Sequence, residues 1–282
     1  MMGAMTRPRR PTTVLASLLL FAGLLTIGPA PAARAATCGF TPAGLETRTI
    51  GARSYLIHVP AGLTAAAPLL LSLHGLGAGA RLHATDTGWV PFADANRFIV
   101  AFPQGNGKYV PSWQFGQHSP DVAFIRQVVA DIESTWCVDP RRVHVTGHSN
   151  GALMALRLAC DAADLFGSVA EDAGGPPTAT GTPCTPTRPI SVGIFSSTFD
   201  PLSLLAFGYV TRNQWVTLDQ CPKTPVKEPG VLLEASRYAP CAAGTEVIWR
   251  AYLAQSHNWP RGADRADILQ RMWALFVRNP LP

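Results

Sequence analysis

The residues best placed to do chemistry in this 282-residue chain are Gly147-His148-Ser149-Asn150-Gly151, a serine with a glycine two positions away on each side. They follow a β-branched run, Val143-His144-Val145-Thr146, and precede an apolar stretch of helical spacing with Leu153, Met154, Leu156 and Leu158. A serine at the tip of a sharp strand-to-helix turn projects its hydroxyl from the sheet while the next amide points into the same space. That suits attack on a carbonyl carbon, and the glycines let the strained backbone pass its neighbours without a Cβ. A serine hydroxyl needs a base, and the base needs an acid to hold its tautomer, so an acid and then a histidine should follow, each after a strand. His257 is the only one of the seven histidines beyond the serine. Asp200, in Ser196-Ser197-Thr198-Phe199-Asp200-Pro201, is favoured as the acid over Glu171 and Asp172, which follow an earlier strand and stay open as alternatives. The oxyanion formed on attack needs two donors, for which the amides of Asn150 and of Leu76, in His74-Gly75-Leu76-Gly77, are the candidates. His74 and His148 read as loop anchors rather than reacting groups. His58, His83, His118 and His144 lack metal-ligand spacing, and neither H-E-x-x-H, paired C-x-x-C nor a Gly-rich phosphate loop occurs, so no metal and no cofactor is expected.

These groups must be carried by strands ending at one edge of a sheet. Pro68-Leu69-Leu70-Leu71-Ser72-Leu73 and Phe98-Ile99-Val100-Ala101-Phe102 are apolar runs of strand length, as expected of strands covered on both faces. Ser119-Pro120-Asp121 supplies an N-cap, a first-turn proline and a carboxylate suited to the helix dipole, and Val122, Ile125, Val128, Val129 and Ile132 continue at helical spacing. Residues 167–170, 190–195 and 246–253 read as further strands, and Ile268, Leu269, Met272 and Phe276 mark a final amphipathic helix. The alternation predicts an α/β fold with a mostly parallel central sheet flanked by helices.

Leu73-His74-Gly75, Thr87-Gly88-Trp89, Ser112-Trp113, Asp121-Val122-Ala123-Phe124-Ile125, Asp139-Pro140-Arg141-Arg142-Val143, the Ser149 motif and His257-Asn258-Trp259-Pro260 together resemble the secreted polyhydroxybutyrate depolymerase and feruloyl esterase family. The resemblance implies a single-domain α/β-hydrolase fold, cleavage of carboxylic esters of polyester, feruloyl or acetyl type, and Ser149, Asp200 and His257 as a triad. Ser196-Ser197 and Ala254-Gln255-Ser256 depart from the family pattern on loops beside the site, which leaves substrate preference open.

Arg7, Arg9 and Arg10, the apolar segment 14–27 and Ala33-Arg34-Ala35 form a secretory signal pattern, so a signal peptide over 1–35, one catalytic domain over 36–282, secretion and no stable membrane anchor are expected. Neither a linker nor an appended polymer-binding module is expected. The formal net charge is +5, but removing the four arginines of the signal from 23 basic residues leaves 19 against 18 acidic, a net of +1. Nothing in that balance argues for nucleic acid, whose binding would demand a clustered positive surface. The expected partner is an ester substrate, possibly polymeric, and the expected state a monomer. Cys38, Cys137, Cys160, Cys184, Cys221 and Cys241 all lie beyond the signal, an even set that suggests disulfides in an exported protein. Cys160–Cys184 and Cys221–Cys241 each bracket a polar excursion, leaving Cys38 for Cys137, with other pairings and buried thiols open. Trp113 and Trp259 are candidate substrate-binding aromatics, with core packing as the alternative.

Overall fold

The computed structural model describes Met1, Thr41 and residues 43–178, 181–230, 233–253 and 256–282. Residues 2–40, which include the expected signal segment and Cys38 with its expected tie to Cys137, fall outside the described residues, as do Ala254 and Gln255. All the described residues other than Met1 belong to the unit Cys38–Pro282.

Along the chain come β1 (Ala43–Ile50), β2 (Arg53–Val59), β3 (Ala67–Leu73), α1 (Gly79–Asp86), α2 (Trp89–Asn96), β4 (Ile99–Pro103), α3 (Pro120–Thr135) and β5 (Val138–His148). They are followed by α4 (Asn150–Asp161), β6 (Ser168–Asp172), β7 (Ser191–Ser197), α5 (Leu205–Leu218), β8 (Val226–Lys227), β9 (Glu234–Tyr238), β10 (Val247–Tyr252) and α6 (Gly262–Arg278). The strands form one sheet in the order β1-β2-β4-β3-β5-β6-β7-β10-β9-β8. From β4 through β10 the neighbours run parallel, while β1, β2, β8 and β9 join antiparallel at the two sides. This is the α/β-hydrolase arrangement.

Residues along each central strand alternate between two cores, as the two-residue period of a strand requires. Leu69, Leu71 and Leu73 of β3 face the layer of α3, α4 and α5, and Leu70 faces that of α1, α2 and α6. In β10, Val247, Trp249 and Ala251 join the first core, and Ile248 and Tyr252 the second. Burial on both faces explains the unbroken apolar runs of the sequence. Helix α3 begins as its local sequence predicts, with the Ser119 side chain accepting from the Val122 amide, Pro120 in the first turn and Asp121 at the positive end of the dipole. β1, by contrast, is an edge strand with Glu46, Thr47 and Thr49 exposed, so it carries no apolar run to announce it.

Two of the expected disulfides are present, Cys160–Cys184 and Cys221–Cys241. The first staples the Gly- and Pro-rich excursion after β6 to α4, and Arg157 of α4 holds the same excursion from within. Its guanidinium is buried and donates to the carbonyls of Phe115, Pro177 and Pro183, to the Thr182 hydroxyl and to the Asp161 carboxylate. Among the described residues no helix is long and apolar enough to cross a membrane.

Candidate active site

Parallel strands emit their following loops at the same sheet edge, and four of them deliver the candidate residues there. β3 ends into His74-Gly75-Leu76, β5 into the Ser149 turn, β7 leads to Asp200 and β10 to His257. The turn is built by close approach. A Cβ on Gly147 would strike the Gly151 carbonyl, and one on Gly151 would strike the Leu73 carbonyl at the end of β3, so neither position accepts a side chain. Ser149 itself stands at φ 55° and ψ −118°, a sparsely populated region costing about 1–3 kcal/mol. Its amide donates to the Asp172 carbonyl at 2.9 Å, and its carbonyl accepts from Ala152 and Leu153, which starts α4 immediately behind the hydroxyl.

The Ser149 hydroxyl lies 2.7 Å from His257 Nε2, across a sequence separation of 108. On the far side of the imidazole, Nδ1 lies 2.9 Å from Asp200 Oδ1 and 2.7 Å from Oδ2. A carboxylate there accepts from Nδ1–H, which leaves Nε2 with its lone pair toward the serine hydroxyl. Asp200 is in turn oriented by the amides of Leu202 and Ser203, which donate to Oδ1 at 2.8 and 2.7 Å. The alternative acids do not reach His257. Asp172 engages His148, and Glu171 accepts from the Gly174 amide on the other face of the sheet, where full burial pushes its carboxyl well above the usual carboxylate range.

Asn150 opens α4, so its amide is one of the helix's unpaired N-terminal donors and carries the positive end of the dipole. Gly75 approaches Ser149 so closely that a Cβ there would lie 3.4 Å from the serine Cβ, bringing the Leu76 backbone to the same cleft. Neither amide has a backbone acceptor among the described residues. The Asn150 side chain is occupied elsewhere, since its Oδ1 accepts from the Trp113 amide and its Nδ2 donates to the Trp113 carbonyl. His74 anchors this loop as expected: Nδ1–H donates to the Gly75 carbonyl and Nε2 accepts from the Gly105 amide. Burial holds its imidazole below the ordinary histidine value, and therefore neutral.

Trp113 is placed differently from the substrate-binding expectation. It is 3% exposed, its indole N–H donates to the His74 carbonyl, and its ring lies 5.0 Å from the His74 ring, so it supports the loop from behind and does not line the cleft. A large aromatic next to a buried strand end gains more from burial than from exposure. Trp259 lines the cleft while only 8% exposed, with its N–H donating to the Thr87 carbonyl. The cleft beside Ser149 holds about 300 Å3, and Leu76, Leu82, His148, His257 and Trp259 are among the residues that line it.

His148, read from sequence as a loop anchor, has a more specific role. Its Nε2 donates to the backbone carbonyl of His257 at 3.1 Å, and its Nδ1 lies 2.8 Å from Asp172 Oδ2. A second histidine–carboxylate pair thus holds the main chain of the residue facing the serine hydroxyl. Nothing in the local sequence shows this, because Asp172 meets His148 only through the register of β5 against β6. His83 also lines the cleft, hydrogen-bonded to Ser72, and burial holds it well below the ordinary histidine value. Among the described residues no group of three or more histidine, cysteine or acidic side chains is gathered to hold a metal. The arrangement can take a proton from a serine hydroxyl, hold an oxyanion and return the proton to a leaving group.

Residues 53–272 match the Esterase family model, described as "Putative esterase". The chain is 33% identical over 127 residues to poly(3-hydroxyalkanoate) depolymerase C of Paucimonas lemoignei, an alignment covering 42% of this chain and 30% of that protein. It is 28% identical over 219 residues to feruloyl esterase B of Piromyces equi, covering 69% of this chain and 40% of that one. The chain thus spans less than half the length of either relative. Its fold superposes on an acetyl xylan esterase from Aspergillus awamori with a TM-score of 0.65 at 16% identity, over 80% of this chain and 94% of the other.

Proposed function

Since this chain belongs to the Esterase family, we propose that it is a secreted carboxylic-ester hydrolase acting through an acyl-enzyme on Ser149. The observation that carries the reading is the continuous line from the Ser149 hydroxyl through the His257 imidazole to the Asp200 carboxylate, closed by hydrogen bonds of 2.7 Å at both ends. His257 Nε2 takes the hydroxyl proton as Oγ attacks the ester carbonyl carbon. The amides of Leu76 and Asn150 receive the negative charge that forms on the carbonyl oxygen, in a cleft where such preorganised donors are worth about 3–4 kcal/mol each. The imidazolium then gives its proton to the alcohol oxygen as the carbon–oxygen bond breaks. Water, deprotonated by the same nitrogen, attacks the acyl carbon and releases the acid and Ser149. Asp200 stays ionised throughout and keeps Nδ1 protonated.

A cleft of about 300 Å3 suits a short acyl chain or one aromatic ring, with Trp259 at its wall. Relatives named as a polyhydroxyalkanoate depolymerase and a feruloyl esterase support a substrate among polyesters of hydroxy acids and feruloyl or acetyl esters of plant polysaccharide. The two disulfides support an oxidising, extracytoplasmic setting. The test is a substrate panel with purified protein: p-nitrophenyl esters of graded length, polyhydroxybutyrate film and methyl ferulate, alongside labelling by a fluorophosphonate probe. Hydrolysis with the probe attached at Ser149, both abolished by Ser149→Ala, is expected; turnover that survives that substitution would refute the reading.

A further inference from the structure

Beyond the catalytic cleft, and sharing Asp86, Asn258 and Trp259 with it, lies a second depression of about 380 Å3 whose outer wall is formed by Arg261 and Arg265. Arg261 is the N-cap of α6, with extended backbone, and Arg265 lies in its first turns; both line the depression. Neither guanidinium has a carboxylate partner among the described residues, and the one hydrogen bond either makes is from Arg265 to the main-chain carbonyl of Asp86 at 3.4 Å. Arg265 is half-buried, with its stem packed over Gly88, so its charge is held at the depression rather than swinging freely in solvent. The placement works against the helix. Cations at a helix N-terminus oppose the dipole, and like charges four residues apart repel, while Asp264 in the same turn offsets only part of this. An anion seated between the guanidinium groups and the first-turn amides would offset these terms with attractive ones.

The position relative to His257 says which half of a substrate reaches the depression. His257 must return its proton to the alcohol oxygen, so the alcohol half lies on the imidazole side, and the wall continuing from there is Asn258, Trp259 and then Arg261. We infer that this depression is a subsite for a carboxylate carried by the alcohol half of the ester, which makes the protein selective for esters of hydroxy acids over esters of neutral alcohols. Asp86 also lines both cavities, and its charge opposes an anion there, so the two arginines must outweigh it. The inference rests on the esterase reading. A free carboxylate on the alcohol half arises in two kinds of ester, a polyester oligomer ending in a hydroxy acid and an ester on a uronic acid ring.

The experiment compares kcat/KM for each acidic substrate with that of its own neutral methyl ester, using 3-hydroxybutyrate dimer for one arm and O-acetylated galacturonic acid for the other. A preference of about tenfold for the acidic form is expected in at least one arm, weakening as ionic strength rises and collapsing to near unity in Arg261→Gln/Arg265→Gln. The arm that shows it identifies the source of the carboxylate. Equal turnover of acidic and neutral forms in both arms, or a preference that survives the double substitution, overturns the subsite alone. Failure of the wild-type protein to cleave even p-nitrophenyl acetate overturns the esterase reading and the subsite with it.

Discussion

Replacing Asp200 by asparagine isolates the chemistry from the scaffold, because the structure dictates how the amide must sit. Oδ1 of Asp200 accepts from the Leu202 and Ser203 amides, so the asparagine carbonyl takes that place and its NH2 group takes the place of Oδ2, 2.7 Å from His257 Nδ1. An NH2 group only donates, so Nδ1 must become the acceptor and the ring proton moves to Nε2, where it faces the Ser149 hydroxyl. The base is then absent although every heavy atom is in position. An imidazole held in the wrong tautomer lowers kcat by about 10⁴, or about 5.5 kcal/mol of barrier. The backbone hydrogen bonds survive at neutral strength, so stability falls by only about 1–2 kcal/mol. The assay is kcat and KM on p-nitrophenyl acetate together with a urea unfolding curve. Expected are a loss of about four orders of magnitude in kcat, KM within a few-fold of wild type and a folded protein. A kcat within tenfold of wild type would show that Asp200 does not set the tautomer, and the proposed relay would be wrong.

His148→Leu removes the tie to the His257 carbonyl and should lower kcat about tenfold to a hundredfold with little change in KM, whereas Asp172→Asn should stay within about threefold, because neutral His148 can accept at Nδ1 and still donate from Nε2. Equal losses in the two variants, measured by steady-state kinetics, would contradict the tie. Burial pushes the Asp219 carboxyl out of the usual carboxylate range, up to about 7. The folded state therefore holds a proton that the unfolded chain has released, so this group's contribution to stability declines as pH rises from about 4 to about 7. Asp219→Asn should gain on wild type across that window, by at most about 1.4 kcal/mol per pH unit, and a stability difference independent of pH in chemical unfolding would refute the assignment. Removing the Cys160–Cys184 bridge by double substitution to serine frees a loop of sequence separation 24 and should cost about 3 kcal/mol, read as a lower urea midpoint.

Much of the site was legible because its chemistry is local in sequence at each point. The glycines around Ser149 mark a turn where backbone passes within contact of backbone, and the structure meets them with the carbonyls of Gly151 and Leu73. The helix start at Ser119 and the apolar strand at 67–73 follow from capping and from burial on both faces. The edge strands β1 and β8, and β9 between β8 and β10, were not legible, since such antiparallel strands carry mixed polar residues whose partners lie elsewhere in the chain. Trp113 shows a different limit: a tryptophan after an irregular loop fits either a cleft wall or a buried strut, and only the position of the His74 carbonyl makes it the strut.

By itself the amino-acid order determined which residue types stood where chemistry was possible: one serine in a turn only glycines permit, one histidine after it, and strands frequent enough to bring both to a sheet edge. Folding decided the rest. Whether Asp200, Asp172 or Glu171 faced His257, what His148 grasped, and which arginines lined the space beyond Trp259 depended on strand order and parallel register. The contacts of His257 with Asp200 and of His148 with Asp172 and His257 span 24 to 109 residues, and over such distances a side chain's neighbours are set by which faces of the sheet and helices are buried together, not by anything adjacent to it in the chain.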